Sequence, residues 1–289
     1  MLTINHLHVT LHNGGKDIPV LHDIHFTINQ GQVIGVIGES GSGKSVLCTS
    51  ILQLFRNKRT ISGNILFKGN SVVSMKEQEL RAVRGQEIGL IMQNPMSLFN
   101  PIVTIGQHFV ETIQAHRTIS KKDALKQAAE QLAAFQLIDP TILKKYPHEL
   151  SGGMLQRVMI AMTACLKPSL LLADEPTTAL DTTTQLEILK QLKQLLVEQQ
   201  MSMLIVSHDL GVIANIATEI IVMRHGVIVE KGPTSHILLH PVHPYTKMLV
   251  AARDEHLPLD ELDGHYDGQI TGELMLYDAG HWVRMEATV

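Results

Sequence analysis

A glycine-rich segment of eight residues constrains the fold of this 289-residue chain more than any other part of its sequence. The segment runs from Gly38 to Ser45 and matches the pattern G-x-x-x-x-G-K-[ST] in full. A short apolar run from Gln32 to Ile37 leads into it, and a helical pattern from Lys44 to Phe55 follows it. This order predicts a strand, a phosphate-binding turn and a helix, which together begin an α/β fold.

The residue types in this segment suit a triphosphate such as ATP, bound together with Mg²⁺. Glycines allow successive backbone N–H groups to point at phosphate oxygens, and the helix N-terminus adds its partial positive charge. We expect Lys44 to reach the β- and γ-phosphates and the hydroxyl of Ser45 to bind Mg²⁺. The predicted nucleotide-binding residues of the loop are Gly38, Ser40, Gly41, Gly43, Lys44 and Ser45.

Two acidic residues end a second apolar run, Leu170 to Ala173. In enzymes with this kind of phosphate loop the first acid, here Asp174, holds the Mg²⁺ shell. The second acid, Glu175, is then well placed to accept a proton from an attacking water. An aspartate after a strand is often only a helix cap, and it is the pairing with the phosphate loop that favours the catalytic interpretation.

A Ser-Gly-Gly sequence precedes the apolar-periodic helix predicted from Leu155 to Leu166. Ser151 is a good N-cap residue, which would explain the sequence by structure alone. Ser151 with Gly152 and Gly153 at a helix N-terminus is also a second anion site. Both interpretations stay open from the residues themselves.

The rest of the chain alternates between strand and helix patterns, which implies a parallel sheet with helical crossovers. Residues 1–30 alternate in the manner of strands, and about residues 94–166 form a helical insert. Val222 to Glu230 predicts a terminal hairpin. We expect the main domain to cover residues 1–253, and residues 254–289 to form a weakly packed acidic appendage.

Composition narrows the classes of function. The formal net charge is -4 and no basic stripe is visible, so a nucleic-acid partner is not expected. The two cysteines, Cys48 and Cys165, are far apart and support neither a disulfide framework nor a zinc site. The 16 histidines are scattered and lack the spacing of a metal site. We expect no secretory signal, because Met1–His6 does not combine a basic segment with an apolar stretch. The sequence contains no apolar run of about 18 residues, so we expect any membrane role to come through partners.

Taken in order along the chain, the motifs resemble the nucleotide-binding subunit of an ABC transporter. The residues that carry the resemblance are Gly38–Ser45, Gln93, Leu150–Gln156, Asp174-Glu175, Ala179-Leu180-Asp181 and His208. The resemblance implies a P-loop NTPase core with a parallel sheet, an antiparallel N-terminal β region and a helical sub-domain. It also implies that residues 1–253 form an ABC-type ATPase domain.

The resemblance assigns roles that the residues alone do not. It implies that Gln93 contacts Mg²⁺ and the attacking water, and that His208 lies near the γ-phosphate. It further implies that a second ABC ATPase subunit, identical or related, pairs head to tail with this one and that Asp181 lies at the seam. Each ATP would then lie between Lys44 of one subunit and Ser151–Gly153 of the other.

A narrower resemblance is to the importers of peptides and nickel. It rests on Ile91–Pro95, Phe99–Pro101, Tyr146–Leu150 and His243–Thr246. The stretch Ser151–Met162 looks most like the nickel and metallophore importers. Nickel or a metal chelate is therefore favoured as the solute, with a di- or oligopeptide as the alternative.

Such an importer implies partners that are separate chains. We expect two integral membrane permease subunits to dock near Asn94 to Pro101 and, indirectly, an extracytoplasmic solute-binding protein. The ATPase would then lie at the cytoplasmic face of the cell membrane. Two rival classes are a soluble ABC ATPase acting on nucleic acid or ribosomes and a non-catalytic subunit. The first usually has two ATPase halves or a long coiled coil, and the second would lack Lys44 or Glu175.

Three features depart from the family pattern. Residues 1–25 contain no Phe, Tyr or Trp to stack on adenine, so Ile18, His12 or Val20 would have to supply that surface. Met154 stands where glutamine is commonest in the family. The C-terminal region has no cysteine cluster, so an iron–sulfur centre is not expected.

Overall fold

The computed structural model describes residues 1–178, 180–254, 270 and 272–284, without the side chains of residues 253 and 254. Its strands are β1 (Leu2–Asn13), β2 (Lys16–Ile28), β3 (Val33–Ile37), β4 (Arg59–Phe67), β5 (Asn70–Ser71), β6 (Ile88–Ile91), β7 (Leu170–Asp174), β8 (Ser202–Val206), β9 (Glu219–Arg224), β10 (Val227–Pro233), β11 (Leu274–Asp278) and β12 (His281–Arg284). Its helices are α1 (Lys44–Ile51), α2 (Glu77–Val83), α3 (Ile105–Gln114), α4 (Lys121–Ala134), α5 (Gly152–Cys165), α6 (Thr182–Glu198), α7 (Leu210–Ile216), α8 (Thr234–Leu239) and α9 (Pro244–Asp254). The chain divides into a first unit, residues 1–76 with 202–289, and a second unit, residues 77–201.

The first unit begins with an antiparallel sheet in the order β2-β1-β4-β5. Strands β1 and β2 pair from Leu2 opposite Ile28 to Asn13 opposite Lys16. Their apolar residues alternate along each strand and are buried, as a sheet with one covered face requires: Leu2, Ile4, Leu7, Val9, Leu21, Ile24, Phe26 and Ile28. The antiparallel N-terminal region predicted from the sequence is therefore present.

A second sheet in the first unit places β3 between two parallel neighbours, β8 and β9. All five residues of β3 are buried, which explains its uninterrupted apolar sequence. Gly35 lets α7 approach the strand, because a Cβ at this position would lie 2.4 Å from Cγ2 of Ile213. This strand leads directly into the glycine-rich segment.

The hairpin predicted at Val222 to Glu230 is confirmed, with β9 and β10 joined at His225-Gly226. It does not end the sheet, because β12 pairs with β10 and β11 pairs with β12. The described residues after 270 are thus hydrogen-bonded into the sheet, although most of their side chains are exposed, and the weak packing predicted for the appendage stays a prediction. The remainder of the predicted appendage, residues 255–269, 271 and 285–289, lies outside the described residues.

The second unit contains the parallel pair β6 and β7 and the helices α2 to α6. Helices α3, α4 and α5 form its helical part, in agreement with the strand-poor pattern predicted for about residues 94–166. Their facing side chains are fully buried: Phe109, Ile113, Ala124, Ala128 and Leu155. The predicted fold class is confirmed, whereas the predicted domain boundaries stay predictions. None of the described helices is long and apolar enough to cross a membrane.

Candidate functional site

The backbone of the glycine-rich segment favours glycine at three positions. Gly38, Gly41 and Gly43 have φ values of 150°, 81° and 98°, which lie in the region that favours glycine. A Cβ on Gly38 would lie 2.1 Å from the carbonyl oxygen of Met223, and one on Gly43 would lie 2.6 Å from Leu21. Gly41 is exposed with open space around it, so this part of the loop is accessible to a ligand.

Lys44 begins α1, and its ammonium group lies against its own loop. Its Nζ donates to the carbonyl oxygens of Gly38 at 2.8 Å and Glu39 at 2.6 Å, and to Oγ of Ser42 at 3.2 Å. The side chain is buried, whereas the next residue, Ser45, is exposed in the first turn of the helix. A fixed cation and a helix N-terminus at a glycine-lined turn are what binding of a polyphosphate requires.

His208 and the loop belong to the same unit. His208 is exposed and follows β8, one residue before Asp209, which caps α7 by accepting the N–H groups of Gly211 and Val212. The predicted contact of His208 with a γ-phosphate stays a prediction.

The second unit brings Gln93 and Glu175 together, although 82 positions separate them in sequence. Nε2 of Gln93 donates to Oε2 of Glu175 at 2.7 Å, and the hydroxyl of Thr178 donates to the same oxygen at 3.0 Å. Glu175 directly follows β7 and has a left-handed backbone with φ of 49°. The carboxylate is thus oriented by two donors at a partly exposed turn, as a general base needs to be.

Asp174 is buried at the carboxyl end of β7. The hydroxyl of Ser45, the amide oxygen of Gln93 and the carboxylate of Asp174 are hard oxygen donors of the kind that Mg²⁺ prefers. Ser45 belongs to the first unit and the other two residues to the second, so a shared Mg²⁺ ligand set stays a prediction.

Ser151 is the N-cap of α5, and its Oγ accepts the N–H of Met154 at 3.3 Å. Ser151 and Gly152 are exposed, and a Cβ on Gly152 would meet nothing within 4 Å. Gly153 follows in the first helical turn and is half-buried. The N-cap interpretation is therefore correct, and the open helix end also leaves the second-anion-site interpretation available.

Asp181 is exposed and caps α6. The backbone N–H of Thr184 donates to its Oδ1 at 3.0 Å and the hydroxyl of Thr184 to its Oδ2 at 2.7 Å. These hydrogen bonds lower the pKa of Asp181 and keep it charged. Ala179, part of the same motif, lies outside the described residues.

Sequence reasoning gave no role to Gln156, which the structure places in direct contact with the Glu175 turn. Gln156 is fully buried in α5, and its Nε2 donates to the carbonyl oxygen of Pro176 at 2.8 Å. A glutamine at an interior position of an apolar helix was the available signal, because buried amides require partners. Tyr245, whose hydroxyl accepts the backbone N–H of Glu39, was also missed.

The candidate adenine platforms lie on the β1–β2 hairpin. Ile18 is 45% exposed and Val20 is half-buried. The ring of His12 is held by Asp17 at Nδ1 and Thr60 at Nε2, both at 2.7 Å. Which of the three contacts a base stays open. Within the described ranges, no group of three or more His, Cys, Asp or Glu side chains is arranged to hold a metal ion.

A phosphate loop between β3 and α1 and an acidic pair at the carboxyl end of β7 define a P-loop nucleoside triphosphatase. A family model for ABC transporters matches residues 21–178, more than half of the chain. The chain belongs to the ABC transporter family of ATP-binding proteins. It is an ATPase that binds and hydrolyses ATP.

Curated relatives match over most of the chain. The metal-staphylopine import system ATP-binding protein CntD of Staphylococcus aureus (strain NCTC 8325 / PS 47) is 42% identical over 88% of this chain and 93% of its own length. A probable peptide ABC transporter ATP-binding protein of Sinorhizobium fredii is 41% identical over 80% of this chain and 70% of its own length. The oligopeptide transport ATP-binding protein OppD of Salmonella typhimurium is 38% identical, with coverage of 87% and 76%.

Among solved structures, the fold is similar to the ATP-binding cassette MJ0796, seen as a dimer in a post-hydrolysis state with ADP and phosphate. The TM-score is 0.74 at 28% identity, over 81% of this chain and 99% of the cassette.

Proposed function

We propose that this ATPase is the nucleotide-hydrolysing subunit of an importer of the peptide and nickel class, and that its solute is nickel or a metal chelate. The observation that carries the proposal is the 42% identity with a metal-staphylopine importer subunit over 93% of that protein. The oligopeptide alternative is supported by relatives at 41% and 38% identity. These sequence identities differ little between the two kinds of importer, so the solute needs a direct test.

In the proposed reaction, Glu175 accepts the proton of the water that attacks the γ-phosphate. Gln93 and Thr178 hold the acceptor oxygen in place, at 2.7 and 3.0 Å. Lys44 and the N–H groups of the phosphate loop bind the transferred phosphoryl group and its neighbour. When bound, Mg²⁺ would neutralise phosphate charge, with Ser45, Gln93 and Asp174 as its ligands.

We propose that two such subunits pair head to tail, so that Ser151 and Gly153 of one close on the nucleotide held by the other. The N-terminus of α5 supports this, since Ser151 and Gly152 are exposed at a helix end, where partial positive charge favours an anion. The dimeric state of the similar cassette structure supports it as well. His208 would lie at the same nucleotide, and Asp181 would lie at the interface between the two subunits.

The permease partners are proposed to dock near the segment from Asn94 to Pro101, which Ile102 directly follows. Met96 and Leu98 are 48% exposed and Ile102 is 81% exposed, which is unusual for three neighbouring large apolar residues. An ATPase docked in this way would lie at the cytoplasmic face of the membrane. A photo-crosslinker in place of Leu98 should capture an integral membrane protein in cells, whereas one in place of Leu186, also exposed, should not.

The nucleotide site is tested with the substitution Lys44→Ala. It removes the cation that contacts the loop, so affinity for Mg·ATP should fall at least tenfold and turnover should be lost. The measurements are calorimetric titration with ATP and release of phosphate. Lys122→Ala, at an exposed position of α4, is the matched control and should leave both values unchanged. Tight binding of ATP by the Lys44 variant would contradict the assignment of the loop.

The solute is tested by measuring ATP hydrolysis of the complex co-purified with its membrane partners. A nickel chelate with the cognate binding protein should stimulate hydrolysis, and short peptides should not. The reverse result would favour the oligopeptide alternative, and co-purification with ribosomes would instead support a soluble ABC ATPase.

A further inference from the structure

Tyr245 connects the last described helix of the first unit to the phosphate loop. It belongs to the motif His243-Pro244-Tyr245-Thr246, which the proposed reaction leaves without a role. Tyr245 lies on α9 and is 1% exposed. Its hydroxyl oxygen accepts the backbone N–H of Glu39, the second residue of the loop, at 2.9 Å.

The ring of Tyr245 also contacts the partner of the Glu39 side chain. Cζ of Arg224 lies 5.0 Å from the ring centroid, and its Nε lies 3.5 Å from Oε1 of Glu39. Both charged side chains are less than 10% exposed, so their attraction is little screened by water. The Tyr245 hydroxyl therefore binds the backbone N–H of Glu39. The guanidinium group of Arg224, which packs against the Tyr245 ring, pairs with the Glu39 carboxylate.

The start of α9 is itself fixed to the sheet. The carboxylate of Glu230, fully buried on β10, accepts the N–H groups of Val242 at 2.9 Å and His243 at 3.0 Å. His281, on β12, contacts the same carboxylate through Nε2 at 2.6 Å. The N–H of Tyr245 donates to Nδ1 of His243 at 3.1 Å. These bonds leave the Tyr245 ring little freedom to move.

We propose that Tyr245 is a positioning residue for ATP binding, acting through Glu39 to hold the phosphate loop in its binding conformation. The hydroxyl fixes the peptide before Glu39, and Lys44 fixes the peptide after it by donating to the Glu39 carbonyl. A loop already ordered loses less conformational entropy when the nucleotide binds, so affinity is higher. The inference rests on the proposed use of this loop for ATP.

Tyr245→Phe tests the inference, because it removes one hydroxyl and keeps the ring beside Arg224. The expected result is an affinity for Mg·ATP about three- to tenfold lower and a KM raised by a similar factor. The value of kcat should change less than about twofold, since the Tyr245 hydroxyl acts on the loop backbone through Glu39. The backbone amide of Glu39 should exchange with deuterium faster than in the unchanged protein, while amides of β3 exchange as before.

Leu249→Val is the matched control, because Leu249 is a buried residue of the same helix and its side chain has no polar atom that could bind the loop. It should lower Tm through lost packing and leave ATP affinity unchanged. Unchanged affinity in Tyr245→Phe would overturn the inference while leaving ATP binding by the chain intact. Equal losses of affinity in both variants would show that α9 contributes only packing. If the unchanged protein bound no ATP, it is the proposed function that would fail.

Discussion

At the residue scale, Glu175 combines a strained backbone with the carboxylate assigned to catalysis. A left-handed conformation costs a residue other than glycine on the order of 1 kcal/mol. Such strain persists where the surroundings determine it, and here Gln93 and Thr178 bind the side chain while Gln156 binds the next carbonyl. These contacts keep the Glu175 carboxylate in a defined orientation, as the role proposed for it requires.

Glu175→Gln should separate ATP binding from hydrolysis. The amide keeps the size of the side chain and an oxygen that accepts from Gln93, but it cannot take up a proton from water. Turnover should fall by roughly 10²–10⁴-fold, the usual contribution of a general base, with ATP affinity retained. Phosphate release and calorimetry measure the two quantities. Glu187→Gln, at an exposed position of α6, is the control, and near-normal hydrolysis by the Glu175 variant would remove this residue from the role.

At the scale of elements, sequence patterns predict structure formed by neighbouring residues, but they do not predict side-chain contacts between residues far apart in the chain. The order of β3, loop and α1 follows from residues adjacent in sequence, so the pattern at Gly38 to Ser45 was sufficient to predict it. The hydrogen bond from Glu39 to Tyr245 spans 206 positions and leaves no periodic trace. The same holds for Gln93 and Glu175, because the family resemblance put both residues near one water molecule but did not predict their hydrogen bond. It also holds for β12, which pairs with β10 and whose His281 contacts the buried Glu230.

The start of α9 should make the protein sensitive to acid. His243 directly precedes Pro244 and caps the helix with an unprotonated Nδ1. Burial lowers the pKa of His243 to about 4, and Arg224 and Arg284 add to the effect against the opposing charge of Glu230. In the unfolded chain the pKa of this histidine is near 6.5. At pH values between the two pKa values, the ring therefore carries a proton in the unfolded chain but not in the folded one. The contribution of His243 to the free energy of unfolding is fully present above about pH 6.5 and is lost as the pH falls towards 4.

His243→Asn should reduce this dependence on pH, because asparagine is a good N-cap that does not titrate. The free energy of unfolding should fall between about pH 7 and about pH 4.5 in both proteins. The fall should be smaller in the variant, by on the order of 2 kcal/mol. Urea denaturation at both pH values measures it. His240→Asn, at an exposed position, should follow the unchanged protein. Parallel pH profiles for the His243 variant and the unchanged protein would exclude a role for this ring.

At the scale of the whole molecule, the arrangement of α5 raises the question of which nucleotide its N-terminus serves. The helix presents Ser151 and Gly152 to solvent, with open space at the position of a Cβ on Gly152. An anion site within one chain would act on the ATP of that chain, and mutation would weaken binding to the monomer. A site that serves a second copy would leave monomer binding intact and affect association only.

Ser151→Arg distinguishes these two outcomes, since it places a bulky cation at the proposed seam. In a Glu175→Gln background, where ATP persists, we expect monomer affinity for ATP to be unchanged and ATP-driven dimerisation to be lost. The measurements are calorimetry and light scattering. Ser120→Arg is the matched control: Ser120 is also an exposed N-cap, bonded to the N–H of Asp123 at 3.1 Å, so both substitutions lose a cap of about 1 kcal/mol. Only the change at Ser151 should abolish the dimer. A Ser151 variant that loses monomer affinity yet still dimerises would replace the shared site with a site inside one chain.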